Sequence, residues 1–197
     1  MGAVIVDLTV SLDGFIAGAD DGLESPLGRG GEPLFAWMTS GPRDPDDPRL
    51  SVVGPSRPIV DEWRSRAGAI LSGRRTFDIA RGWAGGHPID APIFVLTHAA
   101  PTSGEWSPRV RFATDGFDAA LADAREAAGD GVISLCGADL AQQALRAGVL
   151  DEIQVSVVPL LLGSGVRLLD GIGPITLEQT RVIPSDGVTH LRYRVLR

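Results

Sequence analysis

The sequence has almost no cysteine, no long apolar run and too little positive charge for a polyanionic partner. Its single cysteine, Cys136, excludes a disulfide within the chain and fits a reducing compartment, so we expect a cytoplasmic protein. No apolar run approaches the roughly 20 residues of a membrane helix, and the N-terminus lacks a signal-peptide pattern. A formal net charge of −7 argues against nucleic acid and anionic membranes as partners. A small-molecule ligand is therefore expected.

Several ligand-binding motifs are also missing. The glycine-rich residues 28–31 lack the Lys-Ser/Thr that completes a phosphate-binding P-loop. The aspartates of residues 43–49 are interrupted by prolines, and no downstream glutamate completes an EF-hand, which predicts a solvated loop instead of a calcium site. The histidines show no ligand spacing with one another or with Cys136, so we predict no metal site.

What is present suffices for one well-filled core. The chain has 197 residues, of which 44% are hydrophobic, and it contains neither internal repeats nor a linker, so residues 1–197 are predicted to form a single domain. Strand and helix patterns alternate first, and an Asp-Gly hairpin turn at 186–187 comes last, which predicts an α/β fold with a mixed, mostly parallel sheet flanked by helices. The predicted strands are residues 4–12, 69–71, 92–96, 110–113, 132–135, 175–184 and 188–195. The predicted helices are residues 58–66, about 139–147, and a segment capped by Thr114 or Asp115 that ends near Gly129.

One long excursion interrupts this alternation. Residues from about 18 to 57 are rich in Gly, Pro and Asp, with one apolar stretch that predicts a short helix near residues 33–39. Connections of this length are typically lids or ligand walls, or else mobile. Within it, Trp37 is a candidate for stacking on a flat heterocycle.

Three predicted strands end at Leu71, Leu96 and Leu135, and polar or small residues follow each of them. In an open α/β sheet, ligands bind beyond the carboxyl ends of the strands. Residues 73–76 offer two guanidinium groups and a hydroxyl, and residues 97–98 offer a second polar pair. Residues 136–139 offer the backbone N–H groups of a helix start. Such a set suits a ligand with two separated phosphates, such as NADPH. Taken alone, the segment at 136–139 is more typical of ordinary α/β packing, and Arg74 and Arg75 of solvated surface arginines. The G-x-G-x-x-G fingerprint is absent, so a standard Rossmann site is not predicted.

Motifs along nearly the whole chain, except the excursion, occur in the order of a known family. They are SLDGFIA at 11–17, GRRTF at 73–77, LT at 96–97, GADL at 137–140, LDE at 150–152 and PLLLGSG at 159–165. With them the sequence resembles the dihydrofolate reductase-like superfamily, and more closely the reductase domain of the bifunctional riboflavin-biosynthesis deaminase-reductase. The H-x-E and P-C-x-x-C signature of a zinc deaminase is absent, so only the reductase half is expected.

This resemblance implies a three-layer, single-domain fold and NADPH as hydride donor to a flat nitrogen heterocycle or a (5-phosphoribosylamino)uracil-type substrate. By the same resemblance, residues 73–76 hold phosphates, Thr97 and His98 lie near the adenosine 2′-phosphate, and residues 137–140 receive the pyrophosphate. The residues implied around the cofactor are Thr9, Ile16, Ala17, Gly73, Arg74, Arg75, Thr76, Leu96, Thr97, His98, Cys136, Gly137, Ala138, Asp139 and Leu140. On the substrate side, Asp13 is the candidate catalytic residue. The substrate-lining candidates are Asp7, Trp37, Leu162, Gly163, Ser164 and Gly165.

The sequence departs from the family pattern at two positions. Cys136 stands where family members usually carry glycine, and Asp139 adds negative charge near the expected phosphate. Folate reductases use one acid on the helix before the second strand, for which Asp61 and Glu62 are both candidates here. Protonation of the substrate is left to water or Asp13.

Two further expectations complete the sequence-based description. The alternative function is a non-catalytic nucleotide-binding or sensor module on the same fold. A homodimer is expected, because relatives of this type commonly pair and because apolar strand residues near 154–162 could support the contact.

Overall fold

A twisted sheet of eight strands forms the centre of the protein. The computed structural model describes residues 2–42 and 50–197. The strands are β1 (Val4–Ser11), β2 (Phe15–Gly18), β3 (Ala67–Gly73), β4 (Ile93–Leu96), β5 (Val110–Ala113), β6 (Val132–Cys136), β7 (Glu152–Val158), β8 (Gly165–Arg167), β9 (Leu177–Ser185) and β10 (Val188–Val195). The α-helices are α1 (Arg57–Arg66), α2 (Arg74–Ile79), α3 (Phe117–Ala128) and α4 (Ala138–Arg146), and short 3-10 helices cover Glu32–Thr39, Gly54–Ser56 and Arg81–Trp83.

The strand order confirms the predicted mixed sheet. The order is β5-β4-β3-β6-β1-β7-β10-β9, and the six strands from β5 to β7 are parallel to their neighbours. The last two strands, β9 and β10, form the expected antiparallel hairpin, whose turn contains Gly187 with φ of 69°. A separate two-stranded sheet pairs β2 with β8.

The alternation of β1 divides the molecule into two faces. Val4, Val6 and Val10 pack into the main core cluster with residues of α3 and α4. The opposite face of β1 carries Asp7 and Thr9. The side chain of Thr9 accepts a hydrogen bond from Trp37 on this face, which we call the α1 face. The sequence pattern also placed Leu12 on the apolar face, and that was wrong: it follows the end of β1 and is 67% exposed.

Element boundaries agree with the sequence patterns to within a few residues. Helix α4 ends at Arg146, and Gly148 adopts the expected left-handed conformation with φ of 66°, which only glycine adopts without steric cost. The start of α3 differs from expectation, because its N-cap is Gly116 and not Thr114 or Asp115.

The excursion is partly built into the core. In the 3-10 helix Glu32–Thr39, Leu34 and Trp37 are buried against Leu50 and Val52. The acidic residues 43–49, predicted to be a solvated loop, lie outside the described residues. Within the described ranges, no helix is both long and apolar enough to span a bilayer.

Much of the segment expected to support a homodimer, residues 154–162, is built into the sheet. Strand β7, which holds residues 152–158, lies inside the sheet between β1 and β10. Its side chains Val155 and Val157 pack against the main core. The apolar residues of this central strand serve the fold, and the homodimer stays a prediction. Leu161, just beyond the strand, is 71% exposed.

Candidate functional site

The three predicted strand ends meet at one edge of the sheet. Strands β4, β3 and β6 are direct parallel neighbours, with Gly73 paired to Leu96 and Ser72 paired to Cys136. The loops that follow, residues 73–76, 96–98 and 136–140, therefore start side by side. We call this set of loops the rim. Its position beyond the carboxyl ends of parallel strands is where open α/β sheets bind ligands.

A glycine opens α4 at the rim. Gly137 has φ of 121° and ψ of 150°, a conformation that favours glycine, and none of the described side chains caps the first N–H groups of the helix. A Cβ added here would lie 3.1 Å from Thr76 Oγ1, so the turns after β3 and β6 are close together. Uncapped N–H groups and the positive end of the helix dipole suit an anionic ligand.

Both rim arginines have carboxylate partners. Arg74 Nε donates to Asp78, and its Nη1 donates to the carbonyl of Ala99 at 3.0 Å, which links the loops after β3 and β4. Arg75 makes a two-pronged ion pair with Asp21, with Nε–Oδ2 at 3.0 Å and Nη2–Oδ1 at 2.6 Å. Arg75 itself remains 64% exposed, so an incoming anion could reach its guanidinium group.

The loop after β4 is shaped by Thr97. Its hydroxyl donates to the carbonyl of Ala99 at 2.9 Å and the residue is buried, whereas the next residue, His98, is exposed. Thr97 therefore orders the turn, and His98 is the side chain of this loop that points to solvent.

The two departures from the family pattern have simple local environments. Burial raises the pKa of the Cys136 thiol to about 11, against an opposing hydrogen bond with Ser72, so the thiol stays protonated and unreactive at neutral pH. The carboxylate of Asp139 accepts a hydrogen bond from Gln143 at 2.6 Å, one helical turn further on. This bond holds the charge along the exposed side of α4.

Asp13 fastens a distant loop to the end of β1. Its carboxylate accepts hydrogen bonds from the hydroxyl of Ser11 at 2.6 Å and from the backbone N–H groups of Leu162 and Gly163 at 3.1 and 2.7 Å. The bond from Ser11, helped by both N–H groups, lowers the pKa of Asp13 to about 2. An acid that is ionised at neutral pH is a poor proton donor, which argues against Asp13 in that role.

The remaining candidates for the nicotinamide and substrate sides lie in two separate places, the α1 face and strand β2 with its surroundings. Thr9 and Trp37 lie together on the α1 face, whereas Ile16 packs against the main core. Ala17 is buried in β2, where its carbonyl oxygen would be 2.1 Å from a Cβ added to Gly165. The loop from Leu162 to Gly165 is therefore held at both ends, by Asp13 and by β2. The cofactor and substrate roles of these residues stay predictions.

Sequence reasoning named Asp7 and Glu62 separately but missed the group of polar and charged side chains that they form on the α1 face. We call it the polar cluster; its members are Asp7, Glu62, Arg66, Glu152, Gln154, Arg181 and Arg192. Gln154 Nε2 donates to Asp7 Oδ2 at 2.6 Å, and Arg192 Nε donates to Gln154 Oε1 at 2.8 Å. These three residues form one row across the sheet, because Gln154 pairs with Asp7 on one side and with Arg192 on the other.

Helix α1 completes the cluster and resolves the choice between its two acids. Glu62 faces the sheet and accepts hydrogen bonds from Arg192 at 2.6 Å, from Arg66 at 3.0 Å and from Arg181. Burial opposes its ionisation, but the bonds from Arg181 and Arg192 outweigh burial and lower the pKa of Glu62 to about 2. Asp61 is exposed and pairs with Arg57 along the helix. Glu62 is therefore the acid that belongs to the interior.

A buried histidine lies beside the polar cluster. His190 on β10 is bonded on both ring nitrogens, to Ser56 and Ser156, each at 2.8 Å, and its ring meets Trp37 edge-on. Burial lowers the pKa of His190 to about 4, so the ring is neutral at physiological pH. Its contacts hold the end of the excursion on the sheet. A polar residue inside an apolar strand pattern was the one sequence signal for it.

Comparison with known proteins places this geometry in context. The model of the RibD C-terminal domain matches residues 3–191. A search of curated protein sequences gives no match. A putative riboflavin biosynthesis protein from Shewanella sp. PV-4 superposes with a TM-score of 0.69 and 24% identity, covering 99% of both chains.

Two further structures show the range of the fold. RibD from Acinetobacter baumannii has a TM-score of 0.65 and 18% identity, covering 100% of this chain and 59% of that one. Dihydrofolate reductase from Enterococcus faecalis, in a complex with NADP(H) and RAB-propyl, has a TM-score of 0.60 and 13% identity, covering 98% and 96%. At these identities the structures establish a dihydrofolate reductase-like fold. With nearly the whole chain matched by the family model, the protein belongs to the RibD C-terminal domain family.

Proposed function

We propose that this protein is an NADPH-dependent reductase that transfers a hydride to a flat nitrogen heterocycle or a (5-phosphoribosylamino)uracil-type substrate. Family membership supports the oxidoreductase class. The observation that carries the cofactor assignment is the rim, where three adjacent parallel strands end beside two arginines and an uncapped helix N-terminus. This combination suits the separated phosphates of a dinucleotide.

The rim residues fit such a cofactor in size and charge. Because Gly137 has no Cβ, a small space is left between the start of α4 and Thr76 Oγ1, which we call the cofactor cradle; a Cβ at residue 137 would narrow it. The net charge of the chain is −7, so its overall field repels a phosphate. Arg74 and Arg75 at the rim supply the local positive charge that attracts one. When bound, the cofactor supplies a hydride from its nicotinamide ring.

The chain's own contribution is positioning. The rim would hold the phosphates, and the loop at Leu162 and Gly163, fastened by Asp13, would border the substrate. Holding donor and acceptor in a near-attack geometry can contribute up to about 7–11 kcal/mol in favourable systems. Residues that fix both loops therefore serve the reaction without exchanging protons.

Titration of NADPH with the protein, followed by nucleotide fluorescence, tests the proposal. We expect saturable binding in the micromolar range and a loss of about tenfold or more in Arg74→Gln, because a charge-assisted hydrogen bond is removed. Arg194→Gln is the matched control, since Arg194 is an exposed arginine that pairs with Glu178 on the edge strands. The cofactor assignment fails if neither NADPH nor NADH binds below millimolar concentration.

A non-catalytic nucleotide-binding or sensor module is the second candidate. The observation in its favour is that Asp13, the sequence-based catalytic candidate, is fully engaged in loop contacts and ionised. This module would bind NADPH without oxidising it across a panel of pyrimidine, pterin and quinone acceptors. Steady turnover of any acceptor would exclude it.

We further propose that the protein acts in the cytoplasm as a homodimer. Exposed apolar side chains remain on the described surface, including Leu161 and, on the edge strand β9, Val182 at 50% exposure. Sedimentation velocity at micromolar concentration checks the assembly, and a monomeric coefficient throughout would contradict it.

A further inference from the structure

Asp7 lies next to the turn that opens α4. Val6 on β1 pairs with Leu135 on the parallel strand β6, so the residues one step further, Asp7 and Cys136, are also neighbours. Cys136 is followed directly by Gly137, the glycine of the proposed cofactor cradle. Two residues beyond Asp7 on the same face, Thr9 contacts Trp37. Asp7 therefore lies on the α1 face, between the rim and Trp37.

The hydrogen bonds around Asp7 leave one of its oxygens available. An arginine can only donate, so the Arg192 Nε bond fixes the side-chain amide of Gln154 with its oxygen toward Arg192. The amide N–H group then points to Asp7 Oδ2. In the part of the chain that the structure describes, Oδ1 has no hydrogen-bond partner. A proton on Asp7 would therefore sit on Oδ1, away from Gln154.

The charges that face Asp7 separate it from Glu62. Burial raises the pKa of Asp7 to about 7; Arg192 and Arg66 oppose this shift, and the ionised Glu62 adds to it. The other titratable and charged groups near this face are Arg181, Glu152, the neutral ring of His190 and the protonated thiol of Cys136. At pH 7 Asp7 is therefore about half protonated whereas Glu62 is ionised. Two carboxyl groups of one cluster with pKa values this far apart typically mark an acid–base site.

We propose that Asp7 is the proton donor of the reductase, and that Gln154 and Arg192 are positioning residues that direct its free oxygen to the substrate. This assignment rests on the proposed function. It replaces Asp13 and water as the source of the proton.

The step balances with one reductant and one acid. The C–H bond at C4 of the dihydronicotinamide breaks, and its electron pair forms a new C–H bond at the electrophilic carbon of a C=N or C=O group. The O–H bond of Asp7 breaks, and its proton goes to the nitrogen or oxygen of that group. The oxidised cofactor and the Asp7 carboxylate remain, and a solvent proton restores the acid before the next turnover.

The first test uses the free protein and needs no turnover. ¹³C NMR of aspartate side-chain carboxyls, followed from pH 4 to pH 9, should show one resonance that titrates near neutrality in the wild type and is lost in Asp7→Asn. Asp151→Asn is the matched control, because Asp151 accepts the N–H of Val4 at the opposite end of β1. An Asp7 resonance that titrates below pH 5 would overturn the assignment.

The second test is the pH profile of NADPH oxidation with 5-amino-6-(5-phosphoribosylamino)uracil as the acceptor probe. Wild-type kcat should fall tenfold per pH unit above about pH 7, because the donor loses its proton. Asp7→Asn should lower kcat by about 10²–10⁴-fold, the usual contribution of a general acid, with unchanged NADPH affinity. Gln154→Leu should shift the pH profile, which a purely structural role would not do.

The two proposals fail in different ways. If the wild type oxidises NADPH and Asp7→Asn retains kcat within about threefold, Asp7 is not the donor and the reductase assignment stands. If NADPH does not bind to the wild type, the reductase assignment fails, and the donor role fails with it. A kcat loss in Asp7→Asn with NADPH affinity and the Asp151→Asn control unchanged supports both.

Discussion

The rim and the polar cluster contain the same kinds of side chain, arginines and carboxylates, in opposite environments. At the rim, the Arg75 side chain is 64% exposed, whereas its partner Asp21, from the excursion, is only 10% exposed. In the polar cluster, Arg192 is 11% exposed and is bonded to both Glu62 and Gln154. An arginine that is largely exposed can exchange its carboxylate partner for a ligand at modest cost, whereas a buried arginine cannot lose a partner cheaply. The rim is therefore suited to binding anions, and the polar cluster is suited to keeping the pKa values of Asp7 and Glu62 far apart.

The largest effect is expected from breaking the polar cluster. Arg192→Gln should lower the free energy of unfolding by about 2–4 kcal/mol, because Glu62 and Gln154 lose a buried charged donor. Arg194→Gln, two residues further along the same strand, should change it by less than about 0.5 kcal/mol, since that pair is exposed. Urea denaturation at pH 7 measures the free energy of unfolding of both variants. Equal losses in the two would contradict the expected difference between a buried and an exposed ion pair.

The pH dependence of stability should follow Asp7. Its folded-state pKa is raised from 3.8 to about 7, so the native state holds a proton that the unfolded state releases in this range. Stability therefore falls as pH rises from about 4 to 7, by roughly 2 kcal/mol between pH 5 and pH 7. Asp7→Asn should remove this slope. Urea midpoints across the range check it, and an unchanged slope in the variant would contradict the raised pKa.

At the rim, two glycines should respond differently to the same substitution. Gly137→Ala should cost about 1–2 kcal/mol of unfolding free energy, since φ of 121° strains a residue with a Cβ. Gly73→Ala should be neutral or stabilise by about 0.4–1 kcal/mol, because φ is −80° and no atom lies within 4 Å of the added Cβ. Thermal and urea unfolding compare the two, and similar losses would mean that the backbone at Gly137 relaxes.

The smallest effect concerns the pair at the edge of the rim. The Asp21 side chain is only 10% exposed, but Arg75 is 64% exposed and keeps its bond to the Asp21 carbonyl in the variant. Asp21→Asn should therefore change stability by about 1 kcal/mol or less. It should also raise NADPH affinity about two- to fivefold at low salt, since Arg75 no longer has a competing carboxylate. Fluorescence titration at two ionic strengths measures this, and an unchanged affinity at both would remove Arg75 from the cofactor site.

The rim could be predicted from the sequence but the polar cluster could not, because the cluster depends on contacts between residues that are far apart in the sequence. Strand ends at Leu71, Leu96 and Leu135 can be identified from local patterns, and parallel strands bring their ends to a common edge. The polar cluster depends on how β1, β7 and β10 are paired. A period of two places Asp7 on one face of β1, but it does not indicate that Gln154 and Arg192 lie beside it.

The role of Asp13 illustrates the same limit. Its position before Gly14 predicted a turn, and its partners Leu162 and Gly163 are about 150 residues further along the chain. Family resemblance placed it on the substrate side, and only the folded contacts showed a carboxylate already engaged. Conversely, the strict alternation of β1 extended the predicted strand by one residue, because Leu12 fits the pattern although it lies in the turn.

The ion pair between Arg75 and Asp21 also has a kinetic consequence. Asp21 belongs to the excursion, in which the sequence motifs of the family are missing although the family model spans it. A dinucleotide phosphate that binds Arg75 would break its ion pair with Asp21. The start of the excursion would then lose this contact with the rim. Cofactor would then add first and substrate second, and the oxidised dinucleotide would leave last.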